Sequence, residues 1–149
     1  MGIGTRDGAT IEMAAQAGEE NFFLFGLTAQ QVADSRGRYN PQWHYEHEPE
    51  TREALDLIFS DYFSRNEPEV FAPFRDILLT HDYYMHLADL KSYLDADERL
   101  RASYADPNEW ASKAILNVAG SGKFSSDRTI SEYAADIWNV QPCPVPEKA

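Results

Sequence analysis

The sequence predicts an α/β fold that is predominantly helical, with one or two short strands and about six or seven helices. Three observations predict it. Residues 3 to 25 pass from a short β-branched apolar stretch through a turn and a helix to a second apolar stretch. Further on, side-chain caps and prolines open one helix after another. Between those signals apolar residues recur at helical spacing as far as Trp138.

Ile3-Gly4-Thr5 reads as the end of a strand, and Asp7-Gly8 as a turn. Ile11, Met13, Ala14 and Ala17 give the first helix its apolar positions, with Asp7 as its side-chain cap and Gly18 as its stop. Phe22-Phe23-Leu24-Phe25 is continuously apolar, the pattern of a strand buried on both faces in a parallel sheet. Strand, helix, strand is the economical reading of this opening. Thr28 and Gln31 form a capping box for a helix running to about Ser35. Arg36 to Glu48, with Gly37 and Asn40-Pro41, reads as irregular. Pro49 suits a first helical position, ahead of Leu55, Ile58, Phe59 and Tyr62. Phe71, Phe74, Ile77 and Leu78 mark another helix, and Tyr83 to Ala88 reads as extended or a turn. Asp89 is the expected cap of a helix with Leu90, Tyr93, Leu94 and Leu100 on its inner side. Asp106-Pro107-Asn108-Glu109 opens the next as cap, first residue and box partner, with Trp110, Ala114 and Val118 as its buried stripe. Gly120 or Gly122 ends it. Ser125, Ser126 and Asp127 offer oxygens to cap the final helix, whose apolar face is Ile130, Tyr133, Ala134, Ile137 and Trp138. Residues 1–140 are expected to form the folded part and 141–149 a loose, proline-rich tail.

Bulk properties bound the function. The chain has 149 residues, 43% of them hydrophobic, enough for a packed core. Thirteen Lys and Arg stand against 25 Asp and Glu, for a net charge of −12. That charge argues against nucleic acid or an anionic membrane as the main partner. No apolar run is long enough to span a bilayer and the amino end lacks a secretory pattern. Cys143 is the single cysteine and sits among Pro142, Pro144 and Pro146, a poor setting for a catalytic thiol. A cytoplasmic protein is expected.

Each chemical constellation meets a plainer reading. Gly120-Ser121-Gly122-Lys123 fails as a phosphate loop, because Asn117 stands where the motif needs glycine and Phe124 where it needs Ser or Thr. A helix start at Ser126 with Lys123 and Arg128 nearby could still attract an anion. Arg36 with Arg38 is the other gathered cationic pair, and both pairs read first as solvated surface charge. His44, Glu46, His47 and Glu48 offer metal-ligand chemistry without a third nearby histidine, so an exposed polar loop is the better reading. His81-Asp82 reads as a polar helix end rather than an oriented base. Asp7 and Glu12 read as a cap and a first-turn charge. The aromatics Phe22, Phe23, Phe25, Phe59, Phe71 and Phe74 read as core.

Two stretches carry a resemblance. One is Ile3-Gly4-Thr5-Arg6-Asp7-Gly8-Ala9-Thr10-Ile11-Glu12, continuing to Ala17-Gly18-Glu19-Glu20-Asn21-Phe22-Phe23-Leu24-Phe25-Gly26. The other is Gly122-Lys123-Phe124-Ser125-Ser126-Asp127-Arg128-Thr129-Ile130, with Glu132-Tyr133-Ala134 and Ile137-Trp138-Asn139. Together they resemble the carboxyl-terminal part of the α-glucan phosphorylases of glycogen, starch and maltodextrin. Thr10 stands where that family usually has asparagine and Arg6 where it usually has an aliphatic residue. Arg36 to Glu48 fits least well.

The resemblance implies the carboxyl-terminal part of a Rossmann-like domain in a two-domain, GT-B type glycosyltransferase. Such enzymes use pyridoxal phosphate and inorganic phosphate to release glucose 1-phosphate from α-1,4-glucans. In the family the cofactor lysine lies in a glycine-rich segment shortly before the strand that Ile3 to Thr5 would end. Here Met1-Gly2 takes over before that segment. No catalytic, cofactor-binding or metal residue is therefore carried over, and no pyridoxal phosphate is expected on this chain alone, whether at Lys91, Lys113 or Lys123. The chain is expected to be a segment of a phosphorylase, inactive alone, with a non-catalytic structural or interaction module of that family as the alternative; both can hold at once. Its final helix, Trp138 above all, is expected to dock on the missing amino-terminal domain or on another copy of the chain.

Overall fold

A computed structural model describes residues 2–60, 62–65, 67–141 and 143. Among them are two strands and eight α-helices, in the order β1 (Gly2–Thr5), α1 (Gly8–Ala17), β2 (Phe22–Phe25), α2 (Ala29–Ser35), α3 (Pro41–His47), α4 (Pro49–Phe59), α5 (Ala72–Thr80), α6 (His86–Ala105), α7 (Pro107–Gly120) and α8 (Ser126–Glu132). A 3-10 turn, Glu19–Asn21, leads into β2, and another, Ser121–Phe124, joins α7 to α8. A wide π turn, Tyr133–Trp138, continues α8. Of the expected tail, only Gln141 and Cys143 are among the described residues.

The strand, helix, strand opening is observed. β1 and β2 pair in parallel, with Gly2 opposite Phe22 and Thr5 opposite Phe25. The crossover is α1, which ends at Gly18. Phe23 is the strand side chain that reaches the core, at 5% exposure. Ala14 of α1, Leu55 of α4, and Leu87 and Ala96 of α6 are also buried.

The cap signals hold at three helices. Thr28 and Gln31 form the full reciprocal box, Pro49 opens α4, and the Asp106 side chain accepts from the backbone N–H groups of Asn108 and Glu109. At four places the structure differs from expectation. Asp7 occupies the cap position of α1, but its side chain makes no cap bond, because it takes the Thr5 hydroxyl at 2.6 Å instead. Glu109 turns away from Asp106 and accepts from the Ser103 hydroxyl at 3.1 Å. Ser125 caps α8 by position alone: it makes no side-chain cap bond, and its carbonyl accepts from Thr129 Oγ1 at 3.0 Å. Asp89 does not cap α6. The helix begins a turn earlier, where Asp82 accepts from His86 N and Leu87 N, both at 2.9 Å.

Arg36 to Glu48 is not irregular. Asn40 accepts from Gln42 N at 3.1 Å, Pro41 takes the first helical position, and α3 follows. Val118, expected on the buried stripe of α7, is 73% exposed, and Phe74, expected in the core, is 60% exposed. On α6 the buried residues are Leu87, Ala96 and Ser103, not the leucines of the expected inner side.

Candidate functional site

A ligand of an open parallel sheet sits outside the carboxyl ends of its strands. Here that place is an open crevice of about 770 Å³, whose polar lining is Thr5, Asp7, Arg36, Tyr84, His86 and Asp89. β1 delivers Thr5 and the following turn delivers Asp7. α2 supplies Arg36 just after its last turn, and the start of α6 supplies His86 and Asp89.

The wall of this crevice is held by α6 side chains bonded to the β2–α2 loop. Asp89 Oδ1 accepts from Leu27 N at 2.8 Å, and Ser92 Oγ accepts from Gly26 N at 2.5 Å. Arg99, on the same side of α6, donates to the Leu24 carbonyl at 3.2 Å. Asp89, Ser92, Ala96 and Arg99 recur three or four residues apart, so they form one ridge of the helix. Ala96 lies fully buried in the middle of that ridge. Gly26 has a φ of 84°, and a Cβ there would come within 2.8 Å of Asp89 Oδ2. Burial raises the pKa of Asp89, the Leu27 N–H and His86 oppose that rise, and Asp82 and Asp7 add to it.

Behind the crevice stands a second polar centre. Asp82 is 1% exposed and accepts three hydrogen bonds, from Tyr39 Oη at 2.5 Å, His86 N and Leu87 N. Burial first, and then the bond to Asp82, hold the Tyr39 phenol well above its ordinary range. Tyr39 therefore stays a proton donor, and the pair ties the α2–α3 connection to the start of α6. This is structural chemistry: every acceptor position of Asp82 described above is taken by the protein itself.

The residues weighed from sequence are not brought together. His81 stacks on Tyr83 at 5.2 Å, away from a catalytic pairing with Asp82, and stands as the expected helix end. α3 places His44 and His47 on a helix, yet His44 Nδ1 lies 3.0 Å from Glu48 Oε1 and His47 Nδ1 lies 2.9 Å from the Trp43 carbonyl. Among the described residues no group of three His, Cys, Asp or Glu is placed to hold a metal ion. Arg36 and Arg38 part company, Arg36 to the crevice and Arg38 to a separate hollow beside Trp43 and His44. Arg128 donates to the Lys123 carbonyl at 2.9 Å and pairs with Glu132, so its charge is already engaged. Cys143 is exposed.

Lysine placement bears on a Schiff-base cofactor. Lys91 lies 3.8 Å from Asp95, Lys113 donates to the Glu20 carbonyl, and Lys123 sits on the exposed turn after α7. None of the three lines the crevice. Among the described residues, no lysine of this crevice is placed to hold pyridoxal phosphate covalently.

Sequence comparison decides the family. The family model for carbohydrate phosphorylase matches residues 1–140. The chain belongs to the carbohydrate phosphorylase family. It is 44% identical to the muscle form of glycogen phosphorylase from Homo sapiens over 153 aligned positions, which cover 99% of this chain and 18% of that relative. Against the Homo sapiens brain form it is 47% identical over 141 positions, covering 94% of this chain and 17% of the relative. Against the Bos taurus muscle form it is 46% identical over 142 positions. The chain thus spans less than a fifth of the length of these phosphorylases. The mostly helical architecture with a parallel strand pair is that of a segment of a GT-B type glycosyltransferase.

Reasoning from sequence missed Tyr84, His86, Ser92 and Arg99, and misplaced Asp89. The usable signal was the spacing of small and polar residues at 89, 92, 96 and 99, which marks a helix face as surely as leucines do.

Proposed function

We propose that this chain is a carboxyl-terminal segment of an α-1,4-glucan phosphorylase, and that it supplies part of the second Rossmann-like domain while holding no catalytic group itself. Residues 1–140 are the folded portion in this reading and 141–149 a proline-rich tail. The parent enzyme would act in the cytoplasm on glycogen, starch or maltodextrin with phosphate, using pyridoxal phosphate bound elsewhere. One observation carries the reading: identity of 44% over 99% of this chain falls on only 18% of a glycogen phosphorylase. The crevice fits it, because its mixed carboxylates, arginine and histidine leave neither a nucleophile paired with a base nor a lysine for the cofactor.

A second reading is a non-catalytic interaction module of the same descent. The observation in its favour is the apolar face of α8 and its π turn. Ile130, Ile137 and Val140 are exposed, and Trp138 is 57% exposed, with Tyr133 stacked against it at 5.8 Å. That face suits docking on an amino-terminal domain or on a second copy.

Both readings make the purified chain inactive. Incubated with glycogen and phosphate, it releases no glucose 1-phosphate; measurable turnover would refute the proposal. After borohydride reduction with pyridoxal phosphate, mass spectrometry finds no stoichiometric phosphopyridoxyl group on Lys91, Lys113 or Lys123. A stoichiometric adduct at one of them would contradict the placement above.

A further inference from the structure

Two hollows share Arg36. One is the crevice described above, and the other is a hollow of about 430 Å³ lined by Arg36, Tyr39, His81, Asp82, Tyr83 and Met85. Among the described residues no carboxylate lies within ion-pair distance of Arg36. The turn from α5 to α6 serves both hollows, with Tyr83 in the smaller one and Tyr84 and His86 in the crevice. This turn is built in an uncommon way. Asp82 and Met85 have φ values of 29° and 57°, a region that residues other than glycine seldom adopt. Both are buried, and Asp82 is fixed by its three hydrogen bonds. The two residues between these anchors are turned outward. Tyr83 is 76% exposed and Tyr84 81% exposed, despite their broad apolar ring faces. Tyr83 stacks on His81 at 5.2 Å, and Tyr84 tilts against His86 at 5.7 Å. Backbone strain persists where the surroundings over-determine it, and such places cluster at binding sites.

We propose that this turn and the two hollows form a binding surface for a neutral oligosaccharide, with Tyr83 and Tyr84 as platforms for sugar rings and Arg36, Asp7 and Asp89 as partners of sugar hydroxyls. The chemistry of the lining selects that class. An anion is drawn to Arg36 but repelled by Asp7 and Asp89, on a chain of net charge −12. A cation meets the Arg36 guanidinium, which belongs to both hollows. A flat apolar ligand strips water from these charges and returns no hydrogen bond. A sugar meets both demands. Its hydroxyls donate to carboxylates and accept from a guanidinium, and its C–H face packs on an aromatic ring. The fixed turn presents the two rings ready placed, which lowers the ordering cost of binding. The surface anchors a sugar chain and cleaves nothing. It does not depend on the proposed function, because its chemistry asks for a neutral sugar of either linkage.

The test is titration of the purified chain with maltoheptaose and with cellohexaose, followed by calorimetry and by NMR of the tyrosine ring protons. At least one sugar should bind saturably and shift the ring signals of Tyr83 and Tyr84. Binding of maltoheptaose alone supports the surface and makes its ligand an α-linked glucan; binding of cellohexaose alone supports it and makes the ligand β-linked. Tyr84→Ala and Arg36→Gln should each weaken binding at least about fivefold. Tyr84→Phe keeps the platform and should bind like the parent chain. Tyr84 and Arg36 are both exposed, so the circular dichroism of these variants should match the parent chain. Tyr104→Ala, which removes an exposed aromatic that lines neither hollow, should also bind like the parent chain. Were Tyr84→Ala to lose its fold, the ring shifts and Arg36→Gln still decide. Failure of both sugars to bind overturns the proposal. So does binding that Tyr84→Ala and Arg36→Gln leave unchanged, binding that Tyr104→Ala weakens equally, or displacement of the sugar by inorganic phosphate.

Discussion

Asp82 shows how much one side chain can hold. Its carboxylate satisfies the Tyr39 hydroxyl and two backbone N–H groups at the start of α6, in a place water does not reach. Asp82→Ala leaves all three donors unpaired and should cost about 3 kcal/mol in urea unfolding, since each orphaned buried group costs about 1–3 kcal/mol. Asp82→Asn keeps an acceptor and should cost less. Asp89 makes a pH prediction with a definite sign. Its pKa is raised on folding, so between the ordinary carboxylate value of 3.8 and the folded value the native state binds more protons than the unfolded state. Its contribution to stability is therefore full below that window and is lost as pH rises through it. Asp89→Asn should remove that loss, so the stability of the parent chain relative to the variant falls across the window. A flat difference would contradict the assignment. Neither role was legible in the sequence. Asp82 looked like half of a His-Asp pair, and the partner of Asp89 lies 62 residues away in the chain.

Elements were legible where a local signal was complete. The Thr28 box, Pro49 and the Asp106 cap each contain the chemistry of a helix start within four residues, so they could be read directly. α3 was obscured by Gly37 and by its aromatic and histidine content, although Asn40-Pro41 is itself a helix start. The inner face of α6 was misread because leucine was taken as the mark of burial. The helix packs on β2 through Ser92 and Ala96, whose small size lets the backbone approach. A similar close approach joins α1 to α7. A Cβ on Gly120 would meet the Gln16 carbonyl oxygen at 3.0 Å and Ala17 N at 3.1 Å, and those are backbone atoms that cannot turn aside. Gly120→Ala gains up to about 1 kcal/mol of helix propensity and loses about 1–3 kcal/mol to overpacking. The clash should win, and thermal unfolding should show a lower Tm. A higher Tm would mean that the two helices separate freely.

At the scale of the whole molecule, the sequence has the apolar content of a packed core, but the core it builds is small. Among the described residues Phe23, Leu55, Met85 and Leu87 are the buried large apolar side chains, while Phe74, Ile77, Ile115, Val118, Ile137 and Trp138 lie on the outside. Composition could not show this, because it counts apolar residues without saying what covers them. The chain matches 17–18% of the length of its phosphorylase relatives, and under the proposed function its outer apolar faces are covered by other parts of such an enzyme. The candidate crevice sets Thr5, Asp7, Arg36, Tyr84, His86 and Asp89 beside the apolar side chains of Leu27, Ala29, Val32 and Ala33. Complementation is the most direct test of a segment that needs the rest of the enzyme. Glucose 1-phosphate release from glycogen and phosphate should be absent for the chain alone and for truncated human muscle glycogen phosphorylase alone. It should appear when the two are co-expressed and purified together. Turnover by the chain alone, or a purified complex that remains inactive, would contradict it.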